Sequence, residues 1–163
     1  MMKKKSIYIF AYGSLVNDNS RNKTIEFAHP DIHYYAEISP RLGYSRVFNV
    51  RTIKNGIPQI MLGIEKSLKP SSINGILFKA TNSILEKIDD REKLYDRMII
   101  EHQFIKTDIK FNKNDVVYIY NPKKISKISD KFPLMESYID ICLEGFSKYG
   151  EKAVDDFVEN TYF

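Results

Sequence analysis

The chain has 163 residues, a length that fits one folded domain with a sizeable core. Its 25 Lys and Arg residues against 21 Asp and Glu residues give a formal net charge of +4, which is too small to favour a nucleic-acid-binding protein. Aromatic residues make up 13% of the chain, with 11 Tyr, 10 Phe and no Trp, and this enrichment favours a sheet-rich core.

The single cysteine, Cys142, excludes an internal disulfide and any metal site that needs several cysteines, and it fits a reducing compartment. Metal ligation would depend on His29, His33 and His102, and Pro30 argues against a helix that would bring the first two together. No apolar run approaches the about 20 residues of a membrane span, and the basic start does not continue as a secretion signal. We therefore expect a soluble cytoplasmic protein without a bound metal.

The chain opens with an unbroken apolar and aromatic run, SIYIFAYGSL, at residues 6–15. β-branched and aromatic residues without polar alternation are typical of a strand buried on both faces. Gly13 then permits backbone conformations that other residues resist, and the amides of Gly13, Ser14 and Leu15 can turn towards a ligand. Two interpretations follow from these residues: a plain strand end with a turn, or a strand that leads into a small-molecule site.

Turn signals separate several β-forming runs in the middle of the chain. Residues 17–28 are predicted to form a loop or a short helix that Pro30 ends. Strands are predicted at residues 32–38, 42–50, 57–65 and 73–80. Asn55-Gly56 marks a turn before the third of these strands, and Pro58 should keep the start of that strand away from a central position in a sheet.

The pattern changes to helical spacing after the fourth strand. Ser83 and Glu86 form a capping-box pattern, in which Ser83 caps the helix start and Glu86 reaches back to it. Three apolar residues at helical spacing then predict an inward-facing stripe: Ile84, Leu85 and Ile88. The sequence therefore predicts an amphipathic helix that begins at about residue 83.

Glu92 stands four residues beyond Ile88, where the helical pattern calls for a hydrophobic residue. If the helix continues to Tyr95, a carboxylate points into the apolar side; if it ends earlier, Glu92 lies at the junction with the next strand. Burial disfavours a charged carboxylate and raises its pKa, which makes such a Glu a usable base near neutral pH. The alternative is a solvated ion pair with a nearby basic residue, namely Arg91, Lys93 or Arg97.

The last third of the chain is predicted to contain two strands and two helices. The strands are predicted at residues 98–107, with His102 in mid-strand, and at 115–121, around a turn at Lys113-Asn114. A basic connector spans residues 122–131. Pro133 is predicted to open a helix that Gly150 closes, and residues 151–160 to form a second, shorter helix. This order of elements favours an α+β domain with a strongly curved, antiparallel or mixed sheet.

Other residues that carry chemistry are weaker candidates. No spacing supplies Ser14 with a histidine base, and Cys142 falls on the apolar face of a predicted helix, where a thiol is buried and inert. His102 is interpreted as a core or cross-strand histidine. The tyrosines at 34–44 with Arg41 and Arg46 suit the stacking of nucleic-acid bases, but tyrosines in strands more often pack a sheet.

Two segments together resemble the γ-glutamylcyclotransferase superfamily, which includes the ChaC-like enzymes. The first is YGSL at residues 12–15, at the end of the opening strand. The second begins with GILF at residues 75–78 and leads to Leu85, Ile88, Asp89, Arg91, Glu92 and Tyr95. The resemblance runs over residues 6–105, and residues 137–140 with Gly145 are similar to the C-terminal helix of bacterial members.

The resemblance implies one domain over residues 1–163, a small mixed, mostly antiparallel β-barrel flanked by helices. Members of the family cyclise the γ-glutamyl group of a small substrate to 5-oxoproline and release its amine, a carbon–nitrogen lyase or acyltransferase type of reaction without metal or cofactor. Glu92 matches the residue that takes and returns the proton. Tyr12, Gly13, Ser14 and Leu15 match the loop that holds the substrate, and Tyr95 and Tyr138 are placed in the pocket wall.

The sequence also departs from the glutathione-acting ChaC relatives. These tend to have Gly-Gly-Tyr shortly after the Glu, whereas Lys93-Leu94-Tyr95 follows here, and Val16-Asn17 differs from their usual continuation. Glutathione, γ-glutamyl amino acids and γ-glutamylamines are therefore all open as substrates. The alternative to an enzyme is a non-catalytic small-molecule-binding member of the same fold. The sequence leaves the oligomeric state and the pathway open.

Overall fold

The computed structural model describes residues 4–26 and 32–163. Its strands are β1 (Ile7–Ala11), β2 (His33–Ile38), β3 (Tyr44–Lys54), β4 (Ile57–Lys66), β5 (Ile73–Ala80), β6 (Tyr95–Ile100), β7 (Ile105–Thr107), β8 (Val116–Pro122) and β9 (Thr161–Tyr162). Its helices are α1 (Asp18–Ile25), α2 (Asn82–Arg91), α3 (Glu136–Ser147) and α4 (Glu151–Glu159). The expected α+β class with mostly antiparallel sheets is confirmed.

The opening strand lies inside the larger sheet, whose strand order is β6-β8-β1-β5-β2-β7. β1 is antiparallel to β5 and parallel to β8, and the other pairs of this sheet are antiparallel. Ile9 and Phe10 are almost completely buried although their side chains point to opposite faces, because the sheet is covered on both sides. None of the helices in the described ranges is long and apolar enough to cross a membrane.

The larger sheet is strongly curved. Its edge strands β6 and β7 are joined by residues 101–104, and such a connection spans at most about 17 Å. A flat sheet of this many strands would hold its edges about 24 Å apart. The two edges must therefore approach each other, in agreement with the expected curved, barrel-like sheet.

The prediction of one strand over residues 98–107 was wrong. His102 begins a short 3₁₀ turn between β6 and β7 instead of lying in mid-strand. Its ring stacks on Phe111 with centroids 4.3 Å apart, and its Nε2 lies 2.8 Å from the carbonyl oxygen of Asp115. These contacts hold the chain where it leaves one sheet edge for the other.

The start of α2 was also predicted at the wrong residue. Thr81, rather than Ser83, caps the helix, and its hydroxyl accepts a hydrogen bond from the Ile84 amide at 3.2 Å. Ser83 is exposed within the first turn, because the helix begins earlier than the capping-box pattern indicates. The apolar stripe is confirmed, since Ile84, Leu85 and Ile88 are all buried.

Two other helix predictions differ from the structure at their ends. The short helix predicted near residue 17 is α1, capped by the Asn17 side chain, and the predicted extension to Phe27, Ala28 and Pro30 lies outside the described residues. Pro133 does not open α3. Its carbonyl accepts a hydrogen bond from the Ile60 amide at 3.1 Å, so the chain first runs beside β4, and the helix begins at Glu136.

The smaller sheet has the order β4-β3-β9. The predicted turn at Asn55-Gly56 joins β3 to β4, and both residues have the positive φ angles that such a turn requires, 52° and 77°. Pro58 lies on β4 at the sheet edge, as predicted. The sequence did not predict β9, which pairs with β3 through only two residues.

Arg46 on β3 joins the two sheets through a fully buried guanidinium group. Its Nη1 donates to the carbonyl oxygens of Tyr12 and Asn74, at 3.1 and 2.7 Å, and its Nη2 donates to the Asn74 side chain at 2.8 Å. Its Nε donates to the Thr161 hydroxyl at 2.8 Å. The end of β1 and the starts of β5 and β9 are therefore tied to one side chain.

Aromatic rings cover the same guanidinium. It lies 4.5 Å from the ring centroid of Phe157 and 5.3 Å from that of Phe146, so its charge faces ring π-systems as well as neutral oxygen acceptors. Because Arg46 has no exposed surface, the interpretation that it stacks nucleic-acid bases is wrong for this residue.

We expect Arg46→Ala to lower the free energy of unfolding by about 3–5 kcal/mol, because it leaves several buried acceptors without a donor. Arg51→Ala is the matched control on the same strand. Arg51 is exposed and donates to the Lys127 carbonyl, so its loss should cost less than about 1 kcal/mol. Urea denaturation measures both changes, and equal effects would contradict the role given to Arg46.

Candidate active site

A cavity of about 620 Å³ lies at the end of β1. Its lining contains every site residue that the sequence predicted: Tyr12, Gly13, Ser14, Leu15, Glu92, Tyr95 and Tyr138. These residues come from four separate places, namely the loop after β1, the end of α2, the start of β6 and the first turn of α3. The fold thus brings together side chains that are far apart in the sequence.

The loop after β1 turns so that three consecutive backbone amides find no hydrogen-bond acceptor among the described residues. Residues 14–16 form a 3₁₀ turn, in which the Val16 amide donates to the Gly13 carbonyl at 3.0 Å and the Asn17 amide to the Ser14 carbonyl at 3.1 Å. The amides of Gly13, Ser14 and Leu15 donate to no residue in the described ranges. Consecutive free amides of this kind can bind an anion or a carbonyl oxygen.

Two glycines let α3 and β4 pack closely against this loop. A Cβ atom on Gly13 would lie 3.2 Å from the Tyr138 hydroxyl and 3.4 Å from Cδ1 of Leu62. A Cβ atom on Gly145 would lie 2.7 Å from the backbone nitrogen of Asn17, which is closer than real atoms approach. Larger residues at these positions would push the helix away from the loop.

Glu92 is the first residue after α2, so the helix ends before it and the second of the two interpretations from the sequence is correct. Its amide donates to the Ile88 carbonyl at 2.8 Å, and its carbonyl accepts from the Tyr95 amide at 3.0 Å. These two hydrogen bonds fix the turn that joins α2 to β6. The side chain lines the cavity and is only 16% exposed.

Burial dominates the electrostatics of Glu92. Desolvation raises the pKa of its carboxyl above the ordinary 4.5, and the nearby charge of Arg91 opposes this rise. The Nε atom of Arg91 lies 3.8 Å from Oε1 of Glu92. Arg97 instead pairs with Asp89 at 3.1 Å, so the alternative of a fully solvated ion pair does not describe Glu92.

Tyrosine side chains form much of the wall around Glu92. The Tyr12 hydroxyl donates to the Tyr120 carbonyl and the Tyr95 hydroxyl to the Leu62 carbonyl, both at 2.6 Å. The Tyr138 hydroxyl accepts from the Leu62 amide at 3.4 Å. Burial raises the pKa of all three hydroxyls, and Glu92 contributes to the rise, so they stay neutral near pH 7.

The sequence did not indicate several parts of the cavity. Tyr120 on β8 lines it, and its hydroxyl donates to Asp89 at 2.6 Å. The β3–β4 hairpin contributes six more lining residues: Thr52, Ile53, Lys54, Gln59, Met61 and Leu62. No local pattern could have indicated them, because the hairpin meets the loop only through tertiary packing.

Metal and thiol chemistry find little support in the described part of the chain. No group of three or more His, Cys, Asp or Glu side chains there could hold a metal ion. Cys142 is buried and outside the cavity lining, and burial raises the pKa of its thiol to about 12. Such a thiol is protonated near neutral pH and is a poor nucleophile.

Known structures resemble this fold over nearly the whole chain. No family model matches the sequence, and no curated protein is significantly similar to it. A γ-glutamyl cyclotransferase structure aligns with a TM-score of 0.69 and 15% identity, over 94% of this chain and 87% of the other. The chain has the γ-glutamylcyclotransferase fold.

Two further known structures also align with nearly the whole chain. An uncharacterized human protein aligns with a TM-score of 0.71 and 14% identity, over 95% of this chain and 88% of the other. A yeast γ-glutamyl cyclotransferase specific to glutathione aligns with a TM-score of 0.61 and 10% identity, over 97% and 98%. At such low identities the likeness establishes the fold alone.

The raised pKa of Glu92 predicts a pH-dependent effect of Glu92→Gln on stability. Since the folded-state pKa lies above the unfolded one, the folded state binds the proton more tightly, and wild-type stability falls as the pH rises through these two values. In Glu92→Gln the side chain does not ionise, so the variant does not lose stability in this way. Thermal unfolding should therefore show a higher Tm for the variant at pH 7, and the difference should shrink below about pH 4.

Glu86→Gln is the control for this measurement, because Glu86 is exposed on the same helix. It should show no comparable change with pH. A Glu92→Gln variant that is less stable than the wild type at pH 7 and equally stable at pH 4 would contradict the assignment of a buried, destabilising carboxylate.

Proposed function

We propose that this protein is a γ-glutamylcyclotransferase, which cyclises the γ-glutamyl group of a small peptide or amine to 5-oxoproline and releases the amine. The observation that carries the proposal is the buried Glu92 carboxylate in one cavity with the free amides of Gly13, Ser14 and Leu15. The likeness of the fold to solved γ-glutamyl cyclotransferases supports it.

The reaction needs one base and no protein nucleophile. The α-nitrogen of the substrate forms a bond to its own γ-carbonyl carbon, and the bond from that carbon to the leaving nitrogen breaks. Of the three hydrogens of the α-ammonium group, one stays on the lactam nitrogen and two pass to the leaving amine, which departs as an ammonium ion. Since both reacting groups belong to one molecule, correct folding of the substrate supplies much of the acceleration.

Glu92 suits the role of proton carrier in this scheme. As a carboxylate it accepts a proton from the α-ammonium group, which makes the nitrogen nucleophilic. As a carboxylic acid it then donates to the leaving nitrogen. Its burial brings its pKa nearer to that of the groups it serves, and this increases its efficiency as both base and acid.

The loop after β1 suits the binding of the glutamyl group. Its free amides can donate hydrogen bonds to the substrate carboxylate, and they can stabilise negative charge that develops on the γ-carbonyl oxygen. The hydroxyl groups of Tyr12 and Tyr95 are committed to backbone carbonyls, so these rings serve as walls that exclude water and fold the glutamyl chain back on itself.

The cavity is large enough for a substrate bigger than the glutamyl group. Its volume of about 620 Å³ lies within the usual range of small-molecule sites. Charged residues from three elements lie in its lining: Lys23, Lys54 and Glu144. We place the leaving amine beside these residues, and glutathione, γ-glutamyl amino acids and γ-glutamylamines are all candidate substrates.

The decisive test is 5-oxoproline release by the purified protein. We expect the wild type to release it from at least one of glutathione, a γ-glutamyl dipeptide and a γ-glutamylamine. Glu92→Gln should lower kcat at least about 100-fold, because it removes the base and keeps the shape. Glu86→Gln should retain wild-type activity.

Failure of this test has a specific meaning. If the wild type binds one of the three compounds and turns over none of them, the protein is a non-catalytic binding member of the fold. If Glu92→Gln turns over substrate at the wild-type rate, Glu92 is not the base.

The pH profile gives a further test of the same role. Because Glu92 must be ionised to accept a proton, kcat/KM should fall as the pH decreases through its raised pKa. The midpoint of this acid limb should therefore lie above 4.5, the ordinary value for a glutamate. Initial rates of 5-oxoproline release between pH 4 and 9 measure it, and a profile that is flat across this range would count against Glu92.

A further inference from the structure

The guanidinium group of Arg91 makes four hydrogen bonds and one ion pair beside the cavity. Nη1 donates to the Ser20 carbonyl and the Thr24 hydroxyl, both at 2.9 Å. Nη2 donates to the hydroxyls of Ser14 and Ser20, also at 2.9 Å. Nε lies 3.8 Å from the Glu92 carboxylate, a distance that gives an ion pair without a hydrogen bond. A guanidinium group can make these four hydrogen bonds at once, and an ammonium group with three donors cannot.

These contacts join three parts of the chain. Ser14 belongs to the loop after β1, Ser20 and Thr24 belong to α1, and Arg91 is the last residue of α2. Because Glu92 follows Arg91 directly, this side chain is a hydrogen-bonded link between the loop and the residue next to the carboxylate. The backbone of the loop has no hydrogen bond of its own to the end of α2 in the described ranges.

The contact with Ser14 also determines what its hydroxyl can do. The Ser14 oxygen accepts a hydrogen from Arg91, so its own O–H hydrogen is left to donate. Ser14 lines the cavity beside the free amides of the loop. A cation behind the oxygen strengthens this donor towards an anionic group in the cavity.

We propose that Arg91 is a positioning residue, which locks the loop after β1 against the end of α2 and keeps a positive charge beside the Glu92 carboxylate. The role of this residue in turnover rests on the proposed function. The locking of the loop and the effect of the charge do not, and they can be measured in an inactive protein.

Besides Arg91, few charged groups in the described residues lie close to the Glu92 carboxylate. The titratable residues near Glu92 on other elements are tyrosines that remain neutral near pH 7: Tyr12, Tyr95, Tyr120 and Tyr138. The charged residues in the cavity lining besides Arg91 and Glu92 are Lys23 on α1, Lys54 on β3 and Glu144 on α3. These three are exposed, and Arg91 is the charge that acts on the pKa of Glu92.

The test compares Arg91→Gln and Arg91→Lys with Lys87→Gln. Lys87 is a matched control, because it lies on α2 and ties this helix to Glu26 at the end of α1 through an exposed pair, at 3.3 Å. In the active protein, Arg91→Gln should lower kcat/KM at least about tenfold and move its acid limb to higher pH, since Glu92 loses its neighbouring charge. Arg91→Lys keeps the charge, so its acid limb should stay at the wild-type position, while only part of kcat should be retained. Lys87→Gln should leave both kcat/KM and the position of its acid limb unchanged.

Two measurements without substrate test the proposal independently of activity. Exchange of the hydrogen-bonded amides of Val16 and Asn17, below the temperature of unfolding, should be at least about tenfold faster in Arg91→Gln than in Lys87→Gln. An NMR titration of the Glu92 side-chain carboxyl carbon should give a higher pKa in Arg91→Gln alone. Unchanged exchange together with an unchanged titration would overturn the proposal, whether or not the wild type forms 5-oxoproline. Absence of product with both expected shifts present would overturn only the proposed function.

Discussion

The buried guanidinium of Arg46 determines how the two sheets meet. It carries a charge into the core without a carboxylate partner in the described residues, and neutral oxygens and aromatic rings take the place of that partner. Burial lowers its pKa to about 9, so it stays protonated near neutral pH. One of its acceptors is the carbonyl of Tyr12, the first residue of the loop that lines the cavity. The position of the loop therefore depends on a contact deep in the core.

The end of α2 has a similar effect on the other side of the cavity. The helix buries Ile88 and stops after Arg91, and the turn formed by Glu92 then starts β6. A carboxylate in the middle of the apolar stripe would have been buried without access to the cavity. At the helix end, it has little contact with solvent and still lines the cavity.

Local patterns in the sequence were enough to predict the buried opening strand, the hairpin turn, the amphipathic helix and the unusual position of Glu92. They were not enough where tertiary contacts determine whether a strand or helix forms and where it begins. The short strand β9 exists because β3 offers it an edge, and α3 starts late because Pro133 pairs with Ile60. Thr81 caps α2 although Ser83 has the better local pattern. In the sequence, Arg46 looks like an ordinary arginine in a strand, because its neighbouring residues do not indicate that it is buried.

Two arginines bind oxygen atoms in the first part of the loop after β1. Arg46 binds the carbonyl of Tyr12, and Arg91 binds the hydroxyl of Ser14. The other oxygens of the loop are also paired, since the carbonyls of Gly13 and Ser14 accept from the amides of Val16 and Asn17 and the Leu15 carbonyl accepts from Arg21. None of these oxygens is left to compete for the amides of the loop. The loop therefore presents hydrogen-bond donors to the cavity, namely three amides and the Ser14 hydroxyl. In the proposed function, these donors bind the anionic or carbonyl group of the substrate, and Glu92 carries the proton.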